Sequence, residues 1–165
     1  MKVLSWNIRG LNSKGKHHHL KDKLQMEKPQ IMLVQETKVT GQKLQSIVQS
    51  FKMSYVVMAI DSVGAAGGLA IIWNEAEVIA EGWMGAPRIL TATFRQLGAE
   101  DIILISVVYG PSIPGERAAF LQDIRKVSTL HNEKYWLLGG DFNMILNLSE
   151  KKGGIRREEP EMALL

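Results

Sequence analysis

An acid and an amide two residues apart, Asp141 and Asn143, close the run Leu137-Leu138-Gly139-Gly140-Asp141-Phe142-Asn143. Residues i and i+2 of a strand face the same side, so the pair is expected to address one ligand from a strand end. The two glycines before them allow a tight turn or a close approach of backbone to substrate. A carboxylate beside a carboxamide can orient and deprotonate a water while the amide holds a phosphate oxygen. Taken alone, the run reads first as a Gly-Asp turn after a buried strand. It does not stand alone.

Three further polar groups follow apolar runs upstream. Asn7 and Arg9 come after Val3 and Leu4 in Ser5-Trp6-Asn7-Ile8-Arg9-Gly10-Leu11. Glu36 and Lys38 end Ile31-Met32-Leu33-Val34-Gln35-Glu36-Thr37-Lys38. Tyr109 closes residues 102–109 and leads into Gly110-Pro111. Singly, Asn7 is a loop-former, Glu36 a solvated charge and Tyr109 an interfacial aromatic. Together they place four polar groups at the ends of four apolar strands, and strand ends gather at one rim of a sheet.

The elements that must position these groups alternate along the chain. Residues 2–6 read as a strand. Residues 16–28 read as a helix with Leu20 and Leu24 on one face, ended by Pro29. A buried strand follows over 30–35. Leu44, Ile47, Val48 and Phe51 fall at i, i+3, i+4 and i+7, which predicts a helix over 41–51. Strands are expected at 55–60, 69–73, 78–83, 89–94 and 102–109, the last two joined by a turn over 96–101. Phe120, Ile124 and Val127 mark a third helix beginning near Pro114, and residues 135–138 form the strand that delivers Asp141. Hairpin-like pairs in mid-chain argue for a layered α/β fold with mixed rather than purely parallel sheets.

The ordered set SWNIRGLN, LVQETK, VVYGP and LLGGDFN resembles the endonuclease/exonuclease/phosphatase superfamily over essentially the whole chain. The likeness is closest to the nuclease domain of plant LINE-type (non-LTR) retrotransposons. The resemblance implies a four-layer α/β sandwich of two mixed β-sheets with outer helices. It implies that Asn7 and Glu36 hold a catalytic Mg²⁺, for which Mn²⁺ can substitute, and that Tyr109 contacts the scissile phosphate. It further implies that Asp141 aligns or deprotonates the attacking water and that Asn143 positions phosphate and base. A carboxylate with amide oxygens is a hard-oxygen set that suits Mg²⁺, which keeps several waters.

Members of the superfamily also carry a Ser-Asp-His motif on a late strand, and this sequence has none. Its histidines, His17, His18, His19 and His131, all precede Asp141, and the chain stops at Glu161-Met162-Ala163-Leu164-Leu165, which reads as the opening of an amphipathic helix. The expectation is the N-terminal two-thirds or so of such a domain, its last strands missing from the second sheet, leaving an edge unpaired and apolar surface uncovered. Alone it should turn over weakly or not at all. Abasic-site repair endonucleases share SWN-x-x-GL and LQETK but carry an acid or amide where Arg9 stands. An outward arginine favours a DNA phosphate over a metal, and hence a retroelement-type nickase over abasic repair.

Composition agrees with that reading. The chain has 165 residues, 45% of them hydrophobic, enough for a core and one domain over 1–165. A net charge of +3 and a pI near 9.2 permit nucleic-acid binding without requiring it. No cysteine is present, so disulfides and thiolate metal sites are excluded. No apolar run spans a bilayer and no leader precedes the first strand, which points to an intracellular protein, nuclear if it acts on chromosomal DNA.

Three motifs have plainer readings. Adjacent residues His17-His18-His19 diverge by about 100° on a helix and suit a solvated face better than zinc. Lys14, Lys16, Lys21, Lys23 and Lys28 read as helix solvation before phosphate tracking. Gly67-Gly68 reads equally as turn or phosphate cradle. The basic stretch of Lys151, Lys152, Arg156 and Arg157 is better placed, beside the acidic motif, and with Arg9 and Lys38 forms the expected DNA-binding set. The reading is a Mg²⁺-dependent DNA endonuclease that nicks target DNA for a fused reverse transcriptase. Its rival is a non-catalytic remnant of such a domain with weak DNA affinity.

Overall fold

A computed structural model describes residues 1–62, 67–130, 135–145, 147–150 and 152–153. Two four-stranded sheets form. The first, in the order β1-β2-β4-β3, holds β1 (Val3–Asn7), β2 (Ile31–Gln35), β3 (Tyr55–Ile60) and β4 (Leu69–Asn74). The second runs β5 (Val78–Ala86), β6 (Ile89–Gln96), β7 (Ile102–Tyr109) and β8 (Tyr135–Asp141) in sequence order. Each sheet is mixed, because β1 pairs parallel with β2 and β7 parallel with β8 while the remaining pairs are antiparallel. Parallel pairs need a crossover connection, and the helices α1 (Lys14–Glu27) and α3 (Arg117–Leu130) supply the two crossovers. The remaining helix, α2 (Gly41–Gln49), joins β2 to β3.

Strand alternation builds the layers. Met32 and Val34 of β2 face outward and pack with Leu20 and Leu24 of α1 and Leu44 and Val48 of α2. Their neighbours Ile31 and Leu33 face inward and meet Leu90, Phe94, Ile105 and Val107 of the second sheet. On the far side, Leu104 and Val108 of β7 pack under Phe120, Leu121 and Val127 of α3. The result is helix, sheet, sheet, helix, as the fold resemblance implies. Because β2 is covered on both faces, it is one unbroken apolar run rather than an alternating one.

The helices start where local chemistry allows. Ser13 Oγ accepts from Lys16 N at 3.4 Å and caps α1, which therefore begins at Lys14, two residues before the expected start. Lys28 ends it in the left-handed region at φ 45°, just before Pro29. Thr40 Oγ1 caps α2 in the same way at 3.2 Å. A 3-10 turn over Pro114–Glu116 precedes α3, so the α-helix itself opens at Arg117. Strand β5 runs three residues beyond the expected 78–83 and carries a bulge at Ala80/Gly82. Among the described residues β8 ends its sheet, with Tyr135 and Leu137 exposed.

Candidate active site

Register decides where the polar groups meet. Asn7 lies opposite Gln35 in the β1–β2 pair, one residue from Glu36, and Tyr109 lies opposite Asp141 in the β7–β8 pair. Each sheet thus brings the carboxyl ends of a parallel pair to one rim, and the two rims face each other. Asn7 Nδ2 donates to Glu36 Oε1 at 2.8 Å and to Asp141 Oδ2 at 2.9 Å, so one amide bridges carboxylates from opposite sheets. The Tyr109 phenol lies beside this bridge, close enough to Glu36, Asn143 and Asp141 to feel all three. Asn7, Glu36, Asp141 and Asn143 therefore form one hydrogen-bonded cluster, with Tyr109 adjoining it. A cavity of about 690 Å³ opens beside it, lined by Asn7, Gln35, Arg117, Asp141, Phe142 and Asn143 among others.

Asn143 reaches the cluster by a different route from strand alternation. The strand runs through both glycines and stops at Asp141, and Asn143 takes a left-handed conformation at φ 51° outside it. Its backbone N donates to Asp141 Oδ1 at 3.0 Å and its side-chain Nδ2 to Gly110 O at 2.7 Å. A side-chain oxygen accepting from the amide two residues on is an Asx-type turn, which asparagine tolerates well in the left-handed region. Gly110 N in turn donates to Asp141 O at 2.7 Å. That approach is so close that a Cβ on Gly110 would collide with the Phe142 carbonyl.

Left-handed backbone concentrates here. Six described non-glycine residues have positive φ, and four of them, Arg9, Glu36, Lys38 and Asn143, lie in the loops of this rim. Such conformations persist only where surrounding bonds over-determine them. The loops are indeed cross-tied: Gly10 N donates to Glu36 O at 2.7 Å, Leu11 N to Thr37 O at 2.9 Å, and Thr37 and Lys38 donate to the carbonyls of Gly68 and Gly67. The carbonyls of the glycine pair thus brace the Glu36 loop. Lys16 Nζ adds a bond to Ile8 O at 3.2 Å.

Electrostatics follow from this geometry. Burial pushes the Glu36 carboxyl up, but the Asn7 amide, the Lys38 ammonium and the Tyr109 phenol beside it together outweigh that effect and hold the group below the usual carboxylate range. Lys38 Nζ sits 3.3 Å from Glu36 Oε2. Burial, with Glu36 and Asp141 nearby, pushes the Tyr109 phenol up, so it keeps its proton and remains a donor at neutral pH.

Among the described residues no three His, Cys, Asp or Glu side chains gather as a metal cage. The donor set present, two carboxylates joined by an amide, still fits a hard divalent cation that keeps most of its waters. Glu36 offers it an oxygen directly. The Asn7 amide nitrogen faces the carboxylates while its Oδ1 accepts from Arg9 N at 3.2 Å, so a half-turn of that carboxamide would be needed to present the oxygen.

A model described as the Endonuclease/Exonuclease/phosphatase family matches residues 4–157. The chain belongs to the endonuclease/exonuclease/phosphatase family. Members of this family are hydrolases, nucleases and phosphatases among them, and they typically depend on a divalent metal. Solved structures share the fold at low identity. The 3′ phosphatase NExo from Neisseria, bound to a product DNA hairpin, is 18% identical with a TM-score of 0.69, over 87% of this chain and 58% of its own. A mannosyl-6-phosphatase of Bacteroides thetaiotaomicron is 15% identical with a TM-score of 0.67, over 87% and 65%. A humanized TDP2 of D. rerio is 16% identical with a TM-score of 0.66, over 88% and 67%. The chain therefore spans between about half and two-thirds of the length of several such structures, 58% in the case of NExo. No curated protein matches it.

The expected DNA-binding residues are less united than the catalytic ones. Arg9 is exposed beside Asn7, Lys38 is paired with Glu36, and Lys152 is exposed. Lys151, Arg156 and Arg157 lie outside the described residues, as does the expected terminal helix. Of the histidine run, His17 Nε2 contacts Leu11 O at 2.8 Å and His18 Nδ1 contacts Lys14 O at 2.9 Å, both on backbone. The helix lysines include Lys23, ion-paired with Glu27 at 3.4 Å. Among the described residues no helix is long and apolar enough to cross a membrane. The sequence reading passed over Arg117, which is 6% exposed and lines the cavity. The signal was present, since Arg117 precedes Phe120 by three residues and shares its apolar stripe.

Proposed function

We propose that this protein is a phosphodiesterase that nicks DNA with the help of Mg²⁺, in the manner of a retrotransposon endonuclease. The observation that supports it best is the bridging of Glu36 and Asp141 by the single amide of Asn7. Glu36, with Asn7, would hold the cation, which when bound neutralises phosphate charge and makes phosphorus a better electrophile. Asp141 takes a proton from the attacking water as its oxygen bonds to phosphorus. Asn143 and Tyr109 present an amide N–H and a phenol O–H to the phosphate oxygens, where charge develops. The P–O3′ bond breaks in line, and the leaving oxygen takes a proton from solvent water to become a 3′-hydroxyl that a fused reverse transcriptase could extend. Arg9, exposed at the rim, suits a backbone phosphate of the same strand.

Relaxation of supercoiled plasmid tests the reading. Nicking should require Mg²⁺ or Mn²⁺, and Asp141→Ala should lower it by about 10²–10⁴-fold. Combining that change with Glu36→Ala should abolish it without loss of solubility. Cleavage that survives in the double variant, or a protein that cleaves only sugar phosphates, would overturn the assignment.

A further inference from the structure

The site reading accounts for Asn7, Glu36, Tyr109, Asp141 and Asn143, but not for the buried cation behind them. Arg117 opens α3 and is almost completely covered, an uncommon place for a guanidinium. Its Nη2 donates to the carbonyl of Asn143 at 3.1 Å, and its side chain lines the cavity shared with Asn7, Asp141 and Asn143. One turn further along, Phe120 packs edge-to-face on Phe142, the residue between the acid and the amide, with ring centroids 6.4 Å apart. Helix α3 therefore grips the Asp141–Asn143 turn at two points on one face, by a charged hydrogen bond and by a ring contact.

We propose that Arg117 is a positioning residue for this site. The left-handed turn at Asn143 is held from three directions: Asp141 Oδ1 accepts from its backbone N, Gly110 O accepts from its amide, and Arg117 ties its carbonyl. The first two bonds come from the site itself and must yield when water and phosphate compete for Asp141 and Asn143. The bond from Arg117 comes from a side chain only 6% exposed on another element, and its acceptor is a backbone carbonyl, a group that does not bind phosphate. It keeps the turn in place while the side chains change partners, so it acts on turnover through Asn143 and Asp141 without touching the phosphate. A bond from a charged donor is stronger than one between neutral groups. Phe120, by contrast, contributes apolar contact that stabilises the fold without orienting a polar atom.

The inference rests on the proposed function for its kinetic consequence, but its structural half is independent of it. The full chain with Arg117→Met, Arg117→Lys and Phe120→Leu is compared with the wild type by amide hydrogen exchange, thermal unfolding and Mg²⁺-dependent plasmid nicking. Arg117→Met should speed exchange at the Asn143 amide by about 10–100-fold, as expected for loss of one charge-assisted bond, with strands β6 and β7 unchanged. Its kcat should fall by a similar factor with KM within about twofold. Arg117→Lys keeps the charge with one flexible donor and should recover part of both effects. Phe120→Leu should lower the melting temperature while leaving Asn143 exchange close to the wild type. If Arg117→Met fails to fold, Arg117→Lys decides by the same exchange measurement. Wild-type exchange at Asn143 in every variant that folds would overturn the proposal. Faster exchange in a protein whose wild type shows no nicking would uphold the positioning role and overturn the nuclease reading.

Discussion

Glu36 carries its charge on a left-handed residue at the junction of two sheets, where burial opposes ionisation and bonds to Asn7 and Lys38, with Tyr109 beside them, favour it. The bonds win, and a pH dependence follows. A carboxyl whose folded value lies below its unfolded value contributes stability that is complete above the unfolded value and is lost as pH falls through the folded one. Since an unfolded glutamate titrates near about 4.3, this contribution should fade only below that pH. Glu36→Gln removes it, so the melting-temperature gap between wild type and variant should narrow as pH is lowered through that window. A gap that stays constant would show that the carboxylate is not held by Asn7, Lys38 and Tyr109 as described. Lys38 is the cation nearest Glu36, and Lys38→Met should move the variant's carboxyl back up, which titration followed by NMR would register.

Among the elements, β8 is the most exacting. It must lie parallel to β7, in register from Tyr135 opposite Ile103 to Asp141 opposite Tyr109, for the acid to arrive beside the phenol. Gly140 permits this with φ at 147°, a value that L side chains rarely adopt, and a Cβ there would strike the Val108 carbonyl. Gly140→Ala should therefore destabilise by about 3 kcal/mol, at the upper end for overpacking, because backbone strain adds to the clash. Thermal unfolding checks it, and a shift no larger than for an exposed alanine substitution would contradict the register. Helix α3 covers this strand pair from outside, which is why its first turn can reach the Asn143 loop.

At the level of the molecule, the rim exists because two sheets are held face to face by one apolar layer. Leu33 is central to that layer, 1% exposed, and its Cδ1 would lie 2.9 Å from a Cβ on Gly139 of the opposite sheet. Leu33→Ala should cost about 2–5 kcal/mol, the range for a cavity in a core that collapses only in part. It should also weaken cleavage more than its distance from the acid implies, because it loosens one sheet relative to the other. The net charge of +3 is too small to bind DNA tightly through the general field. Affinity for a short duplex should be weak and fall steeply with salt, and Arg9→Ala should reduce the slope of log K against log salt by about one. Salt-independent binding would point to recognition by something other than phosphate contacts.

The strands, the helices and the polar residues at their ends were legible in the sequence because each follows from local periodicity. Leu44, Ile47 and Val48 can share a face only in a helix, and Ile31 through Val34 are buried together only in a strand covered on both sides. The resemblance carried the layering further than periodicity alone could. Three things were not legible locally. Asn143 joins the site through a left-handed turn that its neighbours impose, so the i, i+2 rule of a strand gave its company but not its geometry. Asn7 bridges Glu36 and Asp141 with its nitrogen, a choice set by which groups surround it. Arg117 finds the carbonyl of Asn143, far along the chain, only because the Asp141–Asn143 turn folds onto its helix turn. Periodicity is a property of neighbours in sequence. Partners such as Asn7 and Asp141, 134 residues apart, exist only once two sheets have closed on each other and fixed which atoms can meet.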